Sequence, residues 1–390
     1  MENMGDVVRL QFSDTEFVLV GTSHVDPASV ALVKKIIAEE RPNVVALEWD
    51  KNRYAKAMDD DSWKKMDIVK IIKDHRLAVL GFTLVYKWVQ NKYAKENDTE
   101  SGLEFPEGVY SAEAIGAKLE LIDRDIQVTF KRFWRMLSFK EKVMFPVHFG
   151  SVLDDVSESD TVDEQMELIL QSENMDYMFE LMKEKFPKVY QVIIEERNEY
   201  LASKMAEIDA NKTVVVLGKA HIPGIVEIFS QKKFVDPTKL EEIPPKKLSS
   251  KILDFTFPAL LVVLLTLSFT NGASAGGEQI LRWFLLNGGL AAIGTLLVLG
   301  HPLTAIAAFI TAPIGTLSPV LSVGFFAALV QAFLRKPRVS DFETMDSDFG
   351  KLKPMFRNRV LHIIIIFFAS TVGGAIGNVV GGLDIIRNLF

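Results

Sequence analysis

A run of apolar residues that stops at glycine, with histidine three positions beyond, occurs at two distant places in this chain. FVLVGTSHVDP covers Phe17 to Pro27, and VVVLGKAHIPG covers Val214 to Gly224. Four apolar residues in a row suit a strand buried on both faces, as in the parallel sheets of α/β proteins. Glycine at its end lets the backbone leave sharply. His24 and His221 then fall just past the carboxyl ends of their strands. In open α/β sheets the connecting loops splay apart at that edge and leave the crevice in which ligands bind. One such histidine alone reads as an ordinary surface or core residue, whereas two delivered alike predict a shared pocket.

Two more strands end in charge. PNVVALEWDKNRY has Val44 to Leu47 as its buried run, with Glu48 at the carboxyl end, and LELIDRD places Asp123, Arg124 and Asp125 after Ile122. Two histidines and Glu48 make a His2Glu set, which binds zinc or another first-row divalent ion and leaves a position open for water or substrate. A metal in such a site lowers the pKa of bound water to about 7. The plainer reading of Glu48 is a cap for the following helix. EERNEYLASKMAEI, Glu195 to Ile208, reads as an amphipathic helix with Glu196, Arg197 and Tyr200 at its inner end, or as one whose charges pair in solvent.

These motifs carry a resemblance. GTSHVDPAS, VVALEWDKNRY, the ERNEYLA helix and GKAHIPG together resemble the TraB/PrgY family, the pheromone-shutdown proteins related to Tiki-type metalloproteases, over nearly the whole chain. The resemblance implies His24, Glu48 and His221 at a divalent metal, manganese, cobalt or zinc, with Arg53, Glu196 and Arg197 completing the pocket. It also implies a metal-dependent peptidase or related hydrolase. Under that scheme Glu196 is the candidate general base, and Arg53 or Arg197 meets an oxyanion or a substrate carboxylate. Asp123 is an alternative base or a partner that orients a histidine. No HExxH helix is present, so the pattern is not that of a zincin.

Composition divides the chain. Lys and Arg total 44 against 51 Asp and Glu, which argues against a nucleic-acid partner, and the absence of cysteine excludes thiolate ligands and disulfides. Residues 1–234 read as one α/β domain, 235–251 as a Pro- and charge-rich linker, and 252–390 as an all-α transmembrane bundle. Within the first part, Ser62 to Tyr93 and Glu113 to Lys118 look helical. Phe130 to Phe145 is a basic, aromatic helix that packs on its own domain or lies on anionic lipid. Asp154 to Glu184 is dense in acids, a solvated helical pair or a lure for a cationic peptide.

Ile252 to Thr270, Ile280 to Gly300 and Val360 to Leu383 each match the roughly 20 apolar residues of a membrane span. His301 to Leu334 is apolar but broken by Pro302, Pro313, Gly315 and Pro319, so it turns back around TAPIGTLSP as a tight hairpin or a re-entrant pair. Either form implies a packed bundle or a dimer. Lys246, Lys247 and Lys251 precede the first span and seven basic residues from Arg335 to Arg359 precede the last, which puts both segments in the cytoplasm. MENMGDVVRLQF lacks the features of a signal peptide, so the metal pocket is expected to face the cytoplasm. Glycines in VGGAIGNVVGG suit close helix contact rather than transport.

The favoured reading is a membrane-anchored metal-dependent peptidase acting on a peptide or protein. The alternatives are a membrane regulator that captures a peptide without chemistry, its arginines clamping a carboxylate, and a transport accessory whose soluble domain only gates.

Overall fold

The computed structural model describes residues 3–4, 6–23, 27–58, 66–81, 83–84, 88, 102–138, 141, 183, 187–245, 248–318 and 321–389. It divides into two units, one of Met1–Asp60 with Val89–Lys246 and one of Asp61–Trp88 with Lys247–Phe390.

The first unit is built on a six-stranded sheet of β1 (Asn3–Met4), β2 (Val7–Phe12), β3 (Thr15–Thr22), β4 (Val44–Leu47), β5 (Lys118–Leu121) and β6 (Lys212–Gly218), in the spatial order β1-β2-β3-β6-β4-β5. β3, β6, β4 and β5 run parallel, while β1 and β2 add an antiparallel edge. The two strands that carry the repeated motif are therefore neighbours, with Thr22 paired to Gly218.

Alternation along the strands makes two cores. Val18, Val20, Val45, Leu47, Val214 and Val216 face one side, where α1 (Pro27–Glu40) contributes Val33 and Ile37, and a later helix, Glu104–Ile115, contributes Phe105 and Val109. Phe17, Leu19, Ala46, Val215 and Leu217 face the other, under Leu201, Met205, Ile225 and Phe229. Helices on both faces explain why β3, β4 and β6 read as unbroken apolar runs. Burying one such Val, Leu or Phe contributes about 1.5–3 kcal/mol.

The other helices of this unit are α2 (Lys51–Met58), α3 (Glu104–Ile115), α4 (Ile126–Met136), α5 (Glu196–Ala206), α6 (Ile222–Gln231) and α7 (Pro237–Glu241). A short turn at Pro187–Tyr190 and a π-helical turn at Gln191–Glu195 lead into α5. The basic, aromatic α4 packs on its own domain, with Phe133 buried against Val192 and Leu137. The expected linker is not loose over its first half: α7 lies inside it, with Leu240 buried. The acidic stretch Asp154 to Glu184, Lys183 excepted, lies outside the described residues.

Residues 61–88, read from sequence as part of the first domain, belong to the second unit. Their helix Ile68–Lys73 explains why: Ile68, Ile72, Leu77 and Leu84 are buried with Ala328, Ala332, Val360, Leu361 and Ile364.

The second unit contains α8 (Leu248–Ser268), α9 (Ala273–Leu297), α10 (Pro302–Leu317), α11 (Val323–Leu334) and α12 (Arg359–Leu389). Among the described residues α9 and α12 are long and apolar enough to cross a membrane, by length and composition. α10 and α11, with 16 and 12 residues, reach only about 24 and 18 Å at about 1.5 Å per residue. They lie side by side: Gln331 near the end of α11 bonds Thr304 near the start of α10 at 2.7 Å, and Gly315 lies against Val323.

α9 and α12 run antiparallel in close contact through the glycines of VGGAIGNVVGG. A Cβ on Gly377 would come within 2.7 Å of Asn287 Cα and 2.9 Å of the Leu286 carbonyl, whereas one on Gly382 would meet nothing within 4 Å. Gly377→Val is expected to lower the melting temperature of the detergent-solubilised chain by many degrees, and Gly382→Ala to leave it within a degree or two. Differential scanning fluorimetry of the two variants measures this.

Candidate functional site

Because β3, β6, β4 and β5 are parallel, the residues following them emerge at one edge of the sheet. Glu48 comes first after β4 and is 3 % exposed. Its backbone N–H donates to the Val216 carbonyl at 3.0 Å, which carries its side chain toward the end of β6. There its Oε2 accepts the Gly218 N–H at 2.7 Å and its Oε1 accepts from Nη2 of Arg197. Oε1 also lies 3.5 Å from Nε2 of His221. His221 is 3 % exposed and ends the short 3-10 turn between β6 and α6. Its Nδ1 is 2.6 Å from Oδ1 of Asn198 on α5.

Arg197 ties this pair to the end of β5. Its Nε and Nη2 donate to Oδ1 and Oδ2 of Asp123 at 3.2 and 2.8 Å, the forked geometry in which a guanidinium holds a carboxylate best. Arg53 on α2 donates to the same Oδ2 of Asp123 through Nη2 and to Asp50 Oδ2 through Nε at 2.6 Å. Asp50 Oδ1 in turn accepts the N–H groups of Asn52 and Arg53 at 2.9 and 3.0 Å. The capping role weighed for Glu48 therefore falls to Asp50, and Glu48 is turned inward.

Five of the expected residues thus come together: Glu48, His221, Asp123, Arg53 and Arg197. Glu196 points elsewhere. Its carboxylate receives Nη1 of Arg124 at 2.9 Å and Nε and Nη2 of Arg132 at 2.8 and 2.9 Å. The same guanidiniums reach the Leu240 carbonyl at 2.9 Å and the Lys239 carbonyl at 3.3 Å. Burial pushes the Glu196 carboxyl upward, but the hydrogen bonds and charges of Arg132 and Arg124 outweigh it and hold the group below its ordinary 4.5. A carboxylate kept ionised by two buried cations anchors structure and is a poor proton acceptor, so this placement lends no support to a general base at Glu196. Tyr200, one turn on, donates to Glu241 at 2.7 Å; burial and that carboxylate push its phenol well above the usual range.

His24 lies outside the described residues, two positions beyond the end of β3. Among the described residues no group of three His, Cys, Asp or Glu is set to hold a metal ion. Glu48 and His221 nonetheless fit two corners of such a site. Ligand atoms about 2.0–2.1 Å from a tetrahedral ion stand roughly 3.4 Å apart, close to the 3.5 Å between Oε1 and Nε2. Charge points the same way, since Glu48, Asp50 and Asp123 face two guanidiniums. Those five side chains carry one net negative charge.

Two participants escaped the sequence reading, Asn198 and Asp50. Asn198 sits in mid-helix, where asparagine is a weak helix former and a contact must account for it. Asp50 precedes Lys51 in the position of a helix cap, a legible signal.

Residues 7–234 match the model of the TraB/PrgY/gumN family. The chain belongs to that family. Residues 249–390 match the C-terminal domain of TraB family proteins. The chain is 28 % identical over 377 residues to an uncharacterized protein of Methanocaldococcus jannaschii, over 94 % of this chain and 93 % of that one. It is 26 % identical to the TraB domain-containing proteins of Homo sapiens and Bos taurus, over 260 and 276 residues, which are 60 % and 63 % of this chain and 67 % and 71 % of theirs. In this TraB family chain, both strands of the repeated motif and the Glu48 strand fall within the residues matched.

Glu196→Gln would leave two buried guanidiniums facing a neutral amide, at a cost of about 3–5 kcal/mol. The stability that Glu196 contributes is fully present above its ordinary value and is lost as pH falls through its depressed folded value. Urea unfolding of wild type and Glu196→Gln should therefore show a large gap near neutral pH that narrows in acid.

Proposed function

We propose that this protein is a membrane-anchored, divalent-metal-dependent hydrolase of peptide bonds, with its site where β4, β5 and β6 end. The observation that carries the reading is the facing pair of Glu48 Oε1 and His221 Nε2, 3.5 Å apart, inside a buried cluster of net negative charge. Glu48 and His221, with His24, would hold manganese, cobalt or zinc. Such an ion supplies a Lewis acid and a water-derived nucleophile at neutral pH.

The chain's own residues do the rest. Arg197 fixes Glu48 and Asp123 relative to each other, so the ligand carboxylate cannot swing away. Arg53 is partly exposed and is the cation that meets a substrate carboxylate or a developing oxyanion. Asp123, accepting from both guanidiniums, orients them.

Membrane anchoring rests on α9 and α12. The basic stretch from Arg335 to Arg359 supports a cytoplasmic connector before α12 and, with the lysines ahead of α8, a cytoplasmic first domain. A substrate on that side is a cytoplasmic peptide or protein, or one delivered through the bundle.

One observation favours a second reading, a regulator that captures a peptide without chemistry: both oxygens of Glu48 already accept N–H donors, from Gly218 and Arg197. The test uses the full chain in detergent, stripped with chelator and incubated with a peptide library after manganese, cobalt or zinc is restored. Wild type is expected to regain cleavage with one of these ions, while Glu48→Gln, His221→Ala and His24→Ala stay at background by mass spectrometry. Peptide retention without cleavage under every metal would replace this reading with the second.

A further inference from the structure

His221 has two ring nitrogens and two neighbours that compete for its proton. Glu48 Oε1 faces Nε2 and, being anionic, is the stronger acceptor; Asn198 Oδ1 faces Nδ1. In a neutral ring only one nitrogen carries hydrogen, and the bond made by one side decides what the other presents. The distances favour Asn198. Nδ1 to Asn198 is 2.6 Å, a full hydrogen bond, whereas Nε2 to Glu48 is 3.5 Å, beyond a normal one. We propose that Asn198 is a positioning residue that holds His221 as the Nδ1-protonated tautomer, presenting an unprotonated Nε2 toward Glu48, and that Gly224 exists to admit it.

The packing around Asn198 supports both halves. Asn198 is 8 % exposed and lies on α5 directly after Arg197, so one helix delivers the group that orients Glu48 and the group that orients His221. Its side chain is wedged against the first turn of α6. A Cβ on Gly224 would come within 2.8 Å of Asn198 Cγ, closer still to Nδ2, and within 3.3 Å of its Cβ. These are the root and middle of a short side chain, so it has no room to lean away. Any side chain at position 224 displaces the amide from His221. The second motif's glycine after proline, in HIPG, thereby serves the imidazole rather than the backbone.

The consequence is chemical. An imidazole free of Asn198 would place its proton on Nε2 and donate to Glu48, closing the gap. With Nδ1 pinned, Nε2 turns a lone pair toward Glu48, whose Oε1 already accepts from Arg197, so a metal ion placed between Nε2 and Oε1 would be held by both. This deepens the proposed metal site, and only its metal-binding arm rests on that reading.

The experiment is a long-range 15N–1H correlation spectrum of the metal-free full chain in detergent with 15N-labelled histidine, the six histidines being resolved by assigning His221 from its loss in His221→Gln. Wild-type His221 is expected to show a protonated Nδ1 and an unprotonated Nε2. Asn198→Leu and Gly224→Ala should move the proton to Nε2, and Asn198→Asp, which keeps the acceptor, should restore the wild-type pattern. In calorimetric titration with zinc, the first two variants should bind about 10–100-fold more weakly than wild type, as loss of a ligand's orienting partner commonly does. A wild-type spectrum with hydrogen on Nε2, or a tautomer unmoved in Asn198→Leu, overturns the proposal. If Asn198→Leu fails to fold, the wild-type spectrum and Gly224→Ala decide it. The expected tautomers without zinc binding by wild type would uphold the positioning role and sink the metal reading.

Discussion

The parallel pairing of β3 with β6 is the contact on which the first unit depends. It joins Thr22 to Gly218, so that a strand near the start of the chain and one formed almost two hundred residues later lie side by side. Such long-range pairing closes a large loop before it returns any contact energy. What compensates is burial: Val18, Leu19, Val20, Val214, Val215 and Val216 are all fully buried. With β4 added beyond β6, Glu48 is set beside the end of β6, where a backbone N–H and an imidazole are both within reach of its side chain.

The cluster that results is held by charge geometry more than by apolar packing. Arg197 spans Glu48 and Asp123, and Arg53 spans Asp123 and Asp50. Alternating signs of this kind offset the cost of burying each ion singly. A chain of shared partners also resists motion, because no one side chain moves without stripping another. Such rigidity keeps the carboxylates and guanidiniums in a fixed mutual arrangement.

The sequence made β3, β4 and β6 legible because a doubly covered strand must be apolar throughout, and it made their endings legible because each runs into Gly or Glu. The antiparallel edge was not read, since VVRLQF carries no motif of its own. That residues 61–88 group with the second compact unit was not legible for a different reason. Ile68, Ile72 and Leu84 look like any amphipathic core, and only the partner's position reveals that they pack on Val360 and Ile364. The resemblance groups Glu196 with Arg197, yet successive helical residues point about 100° apart, which sends Arg197 to Asp123 and Glu196 to Arg124 and Arg132. Asn198 carried the weakest signal of all, one polar residue in a polar stretch.

The two guanidiniums that anchor Glu196 also grip main-chain carbonyls of α7 and the residue after it, from Lys239, Leu240 and Glu242. Those carbonyls belong to a stretch that composition alone assigns to a tether. The first domain accordingly does not finish where its last sheet-packing helix does. A fragment ended at Phe234 would lose part of the coordination of two buried arginines and the hydroxyl partner of Tyr200, while one carried past Glu242 keeps them. The natural seam of the molecule lies several residues nearer α8 than its sequence suggests.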